Sequence, residues 1–100
     1  MSVDLTSAER RRLRARAHTL APIVQVGRQG VSEALLGELD RALTSHELIK
    51  MRLRGAREER AAQLDDITAG LGCAVVGTVG SVAILYRPAA DEVAPVEADS

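Results

Sequence analysis

The chain has 100 residues, enough for one domain with a single modest core; 46% are apolar, yet Tyr86 is the one aromatic and Phe and Trp are absent. The core is therefore expected to be aliphatic, and surfaces that stack several bases on aromatic rings, as RNA-recognition motifs and OB folds do, are excluded. The formal net charge of −1 conceals an asymmetry: residues 1–88 hold all 13 Lys and Arg against ten acids, a net +3, while residues 89–100 hold four acids and no base.

Met1 to Leu5 is expected to fray. Thr6-Ser7-Ala8-Glu9 has the T-x-x-E form of a capping box and predicts a helix from about Ser7 to His18. Leu13, Ala17 and Leu20 make a narrow apolar stripe along it, with Arg10, Arg11 and Arg14 on one flank and Arg12 and Arg16 on the other. Like charges at i and i+4 repel unless an anion relieves them, so phosphate contact by Arg10, Arg11 and Arg14 stands beside an ordinary solvated face as a reading. His18, near the helix end, reads as a cap or packing residue.

Pro22 stops this helix and opens a strand over Ile23 to Val26. The next four residues, Gly27-Arg28-Gln29-Gly30, frame two polar side chains with glycines, and Ser32 is placed to cap a helix from about Ser32 to Ser45. That helix carries a wide apolar face of Leu35, Leu36, Leu39, Ala42 and Leu43. The segment Glu47 to Arg54 alternates as a strand: Ile49, Met51 and Leu53 point one way, Lys50, Arg52 and Arg54 the other. Three cations on one sheet face are either a contact surface or the solvated outside of a two-layer domain. A third helix, about Arg57 to Leu71, presents Ala61, Leu64, Ile67 and Leu71 inward and an acidic exterior, and Gly72 closes it. Cys73 to Val79 and Val82 to Arg87 form a hairpin through Gly80-Ser81. Beyond Pro88 no hydrophobic period survives, so residues 89–100 are expected to be an acidic disordered tail to a domain spanning 1–88.

The order α-β-α-β-α-β-β places the chain in the α/β (α+β) class. Two strand-helix-strand crossovers give three strands with right-handed connections, and the final hairpin is expected to add an edge, making a four-stranded mixed sheet packed with helices. Cys73 cannot form an internal disulfide, and His18, His46 and Cys73 lack metal-ligand spacing; no metal, no cofactor and no catalysis are expected. No apolar run approaches a membrane span or a signal core, which predicts a cytoplasmic protein without membrane or small-molecule partners.

The glycine-framed loop is the feature most open to chemistry. It is neither a Walker loop, since no Lys-Ser or Lys-Thr follows Gly30, nor a dinucleotide fingerprint. A tight strand-to-helix turn that needs only glycine torsions would explain the four residues. So would a backbone clamp on a polynucleotide, the use to which KH modules put the same spacing. In the second reading Gly27 and Gly30 permit close approach, amides leading into Ser32 donate to phosphate, Arg28 supplies charge and Gln29 a neutral donor and acceptor.

The stretches Leu13 to Gly30 (LRARAHTLAPIVQVGRQG), Val31-Ser32-Glu33, Ala42-Leu43 with His46-Glu47-Leu48-Ile49-Lys50, and Ile84-Leu85-Tyr86-Arg87-Pro88 together resemble the CRM (chloroplast RNA splicing and ribosome maturation) domain, specifically its single-domain bacterial YhbY-type form. The resemblance covers roughly residues 5 to 88 and implies a fold like the C-terminal domain of bacterial initiation factor three. It further implies an RNA-binding protein, monomeric, acting on ribosomal RNA in precursors of the large (50S) ribosomal subunit. Carried over, its contacts are Gly27, Arg28, Gln29 and Gly30; from the charge pattern Arg10, Arg11, Arg14, Lys50 and Arg52 join them. Ser81 stands where similar proteins often carry a basic residue, and the tail is acidic where some relatives have a basic one. The competing expectation is an adaptor of the same fold that docks proteins on ribosomal particles without touching RNA.

Overall fold

The computed structural model describes residues 3–89, so most of the acidic segment lies outside the described residues. Helix α1 (Ser7–Ala17) opens on the expected capping box: the Glu9 amide donates to Thr6 Oγ1 at 3.1 Å, and Glu9 Oε1 accepts from the Thr6 amide at 2.8 Å. These bonds to Thr6 hold the Glu9 carboxyl below the usual glutamate range. Leu5, expected to fray, instead packs against the apolar side of α1.

Strand β1 (Pro22–Gln25) runs into the glycine loop and then helix α2 (Glu33–His46), which is capped by Ser32 Oγ accepting from the Leu35 amide at 3.2 Å. Strand β2 (Leu48–Arg52) begins one residue later than its alternation implies, because Glu47 caps α2 with φ of 63°. Helix α3 (Arg57–Leu71) ends on Gly72 in the left-handed conformation, and strands β3 (Ala74–Val79) and β4 (Val82–Tyr86) form the hairpin. Ala61, expected inward on α3, is exposed. Gln63, in the same stretch of the helix, is bonded to the end of the β2 segment through the Arg54 amide and carbonyl, at 3.0 and 2.7 Å.

The four-stranded mixed sheet has the order β1-β2-β4-β3. β1 and β2 are parallel, and β4 is antiparallel to both β2 and β3. The last strand therefore inserts in the middle of the sheet instead of adding an edge, while β1, β2 and β3 share one direction as expected. The composition of β4 accounts for this place: Ala83, Ile84 and Leu85 are all buried, which an edge strand with one wet face would not require.

Two apolar clusters separate three layers. On one face Leu35, Leu39 and Leu43 of α2 and Ile67 of α3 pack on Val24, Ile49, Met51, Ala83 and Leu85. Cys73 joins this cluster, and burial pushes its thiol pKa up. On the other face Leu13 and Ala17 of α1 pack on Leu48, Val76 and Ile84. The sheet face carrying Lys50 and Arg52 is thus not the bare outside of a two-layer domain, because α1 covers part of it.

Candidate nucleic-acid interface

The register places side chains of this second face in rows. Arg52 pairs with Val82 and Val82 with Val79; next to them Lys50 pairs with Ile84 and Ile84 with Gly77; then Leu48 pairs with Tyr86 and Tyr86 with Ala74. Helix α1 lies over the Leu48 end and leaves the Arg52 row open. What remains is a hollow of about 550 Å³ lined by Arg14, His18, Pro22, Lys50, Arg52, Val79, Val82 and Ile84. Charge from α1 and charge from β2 therefore meet at one place, through Arg14 on the first and Lys50 and Arg52 on the second. Gly77 lets the α1 side chain come close: a Cβ there would stand 3.2 Å from Arg14 Cδ.

The other α1 candidates are placed differently. The ladder shifts register between Val75 and Gly77, and the Arg10 guanidinium donates to Val75 O at 2.5 Å and, more weakly, to Val76 O at 3.4 Å. Arg10, expected as an open phosphate contact, is thus engaged as a tie between α1 and β3. Arg11 is exposed and does not line the hollow. His18 caps α1, as its position implies, and also lines the hollow, one helical turn from Arg14. The floor residues Val79, Val82 and Ile84 were not among the sequence candidates; the signal that could have found them is the row Arg52, Val82 and exposed Val79, visible only once β4 is placed between β2 and β3.

The glycine loop sits at the same end of the sheet. β1 pairs Gln25 with Arg52, the Val26 amide donates to Arg52 O at 2.9 Å, and the chain then enters Gly27. Gly30 N–H donates to Gly27 O at 3.0 Å, closing a turn with Arg28 and Gln29 exposed at its tip. Ser32 N–H donates to Gly30 O at 3.1 Å. Two of the amides expected to meet phosphate are thus already satisfied by the loop itself. Among the described residues, those of Arg28, Gln29 and Val31 have no protein acceptor. Gly30, just past the turn's central residues, has φ of +70°, a conformation that favours glycine, whereas Gly27 has neither positive φ nor any atom within 4 Å of where a Cβ would lie. The fold gives no reason for glycine at position 27.

A model of the CRS1 / YhbY (CRM) domain matches residues 5–87, a span that includes every helix and strand from α1 to β4. The chain belongs to the CRM family. Relatives of this CRM domain include a protein of Pseudomonas aeruginosa described as a probable RNA-binding protein, 38% identical over 84 residues, covering 83% of this chain and 81% of the relative. An RNA-binding protein of Haemophilus influenzae is 38% identical over 85 residues, covering 84% and 86%. The solution structure of a Staphylococcus aureus hypothetical protein, proposed there to bind RNA, superimposes on the CRM domain with a TM-score of 0.76 at 28% identity, covering 86% of this chain and 91% of that one. Among the described residues of the CRM domain no group of His, Cys, Asp and Glu could hold a metal ion, and no helix is long and apolar enough to cross a membrane.

Proposed function

We propose that this CRM domain binds RNA, gripping the sugar-phosphate backbone of structured ribosomal RNA, and that it serves assembly of the large ribosomal subunit. One observation carries the reading: the Gly27–Gly30 turn stands in open space at the end of the sheet where Arg52 lies, with Arg28 at its tip. A backbone can approach Gly27 without meeting a Cβ; the free amides of Arg28 and Gln29 donate to phosphate; the guanidiniums of Arg28, Arg52 and Arg14 pair with it in a fork. The relatives described as RNA-binding support the first part of this reading.

The test is a titration of a labelled large-subunit ribosomal RNA fragment with wild type and with the double variant Arg28→Glu, Gln29→Glu. Wild-type affinity falls steeply with salt, as it must when several phosphates are neutralised, and the variant binds at least about tenfold more weakly with a shallower salt dependence. Equal binding by the two proteins would remove the loop from the interface. Co-sedimentation of the wild type with precursors of the large subunit tests the assembly role.

A second reading, an adaptor docking proteins without RNA contact, is favoured by a separate feature. Leu20 and Ile23, 38% and 52% exposed, line an apolar hollow with Arg16, Ala21, His46 and Leu48 beside the edge strand β1. Binding to ribosomal particles that is indifferent to salt and lost on Ile23→Asp would favour the adaptor.

A further inference from the structure

We infer that the hollow between α1 and the β3–β4 hairpin is a slot for one unpaired nucleotide, so that the protein selects RNA containing a bulge or loop over continuous duplex. The inference rests on the RNA-binding reading and adds to it what the glycine loop cannot supply, a reason to distinguish one RNA from another.

The division of the hollow into apolar floor and cationic rim is the starting point. Val82 and Ile84 form its centre on β4, and Val79, 73% exposed, extends it onto β3. No contact within the fold accounts for an apolar side chain as open as Val79. Lys50 and Arg52 line the β2 side and Arg14 the α1 side, so charge surrounds the floor without lying across it. The floor strands β4 and β3 lie about 4.8 Å apart, with the β2 cations one spacing further on, so the apolar strip has the scale of one flat base. Phosphate alone would need only the rim; an apolar floor inside a cationic rim fits a group that is flat and apolar on its face and flanked by anions.

The stacking within a duplex decides against it. Helix α1 bounds the floor on one side, and the bases of an A-form helix, stacked on one another, have no free face to lay on Val82 and Val79. A duplex can touch only the rim and the glycine loop. A nucleotide turned out of a loop or bulge can enter, laying its base on Val82 and Val79 with its phosphates between Arg14 and Arg52. Stacking there falls to the guanidinium planes of the rim and the His18 ring, since Tyr86 lies on the far side of α1. Because the floor carries no hydrogen-bonding side chain, the slot reads the presence of an unpaired base and not its identity.

Fluorescence anisotropy with two RNAs tests this: a blunt duplex, and the same duplex interrupted by a single unpaired uridine. Wild type is expected to bind the interrupted duplex roughly tenfold more tightly. Val82→Met, which raises the floor without offering a ring for the base to stack on, reduces that preference severalfold. Val79→Asn, at a position too exposed to disturb folding, weakens the preference in the same direction. With 4-thiouridine at the unpaired position, the photocrosslink falls within residues 79–84. Equal wild-type affinity for the two RNAs, a preference that survives both substitutions, or a crosslink confined to the Gly27–Gly30 turn would overturn the slot while leaving RNA binding in place. Failure of wild type to bind either RNA in a salt-dependent way would instead overturn the reading beneath it.

Discussion

At Gly30 the φ of +70° lies in the left-handed region, where a Cβ crowds the following carbonyl. Gly30→Ala should therefore cost about 1–2 kcal/mol, read as a lower urea midpoint at unchanged slope. Gly27→Ala, at a position with open space and ordinary torsions, should change stability by less than about 0.5 kcal/mol, yet weaken RNA binding by placing a methyl group where a backbone approaches. A Gly27→Ala variant with wild-type affinity would mean that nothing comes close there. The sequence makes the loop visible as a motif but does not say which glycine takes a left-handed conformation, because that depends on how the chain leaves the turn toward Ser32. Arg10 shows the same limit. Its place beside Arg14 on one flank of α1 is legible from helical spacing, whereas its engagement depends on a register shift in β3 that no local pattern signals.

The helices and strands themselves were largely legible, because each carries its own period and end signals. The Thr6-Glu9 capping box, the Ser32 cap, the alternation through Ile49, Met51 and Leu53, and the closing Gly72 are all observed where local chemistry puts them. Element pairing was not, since the choice between edge and centre for β4 depends on long-range partners. Once β4 is central, its end has to be fastened to the layer beneath, and Arg87 does this. Its guanidinium donates to Leu71 O at 3.1 Å, Asp40 O at 3.1 Å, Thr44 Oγ1 at 3.0 Å and Asp40 Oδ1 at 2.9 Å, joining β4 to both α2 and α3. Arg87→Lys removes the planar fork that reaches four acceptors and should cost about 1–2 kcal/mol in urea denaturation. Asp40→Asn should cost less than about 0.5 kcal/mol, because the Asp40 carboxylate is 54% exposed and the ion pair is only one of the four contacts. Equal losses for the two variants would put the ion pair ahead of the carbonyl and hydroxyl bonds.

For the molecule as a whole, charge is distributed by layer. The α1 layer and the sheet face under it bring Arg14, Lys50 and Arg52 together, and the exterior of α3 is acidic, with Glu58, Glu59, Asp65 and Asp66 exposed. One side of the domain can thus attract RNA while the overall formal charge stays at −1. The four acids of residues 89–100 oppose that attraction. β4 ends at Tyr86, opposite Leu48, and the Arg52–Val82 row lies four residues back along it, about 14 Å. That exceeds the Debye length of about 8 Å at physiological salt, so acids held near Pro88 would have little influence on Arg52. Yet each residue of extended chain reaches about 3.3–3.6 Å, enough for Glu97 and Asp99 to come over the cations. Ending the chain at Pro88 changes the formal charge from −1 to +3. If the acids compete with phosphate for Arg14, Lys50 and Arg52, truncation should tighten RNA binding by roughly three- to tenfold at low salt, with the gain disappearing as salt is raised. An equal gain at all salt concentrations would assign the effect to something other than charge. No gain at any concentration would mean that the acids do not compete with phosphate, leaving the cationic hollow unopposed.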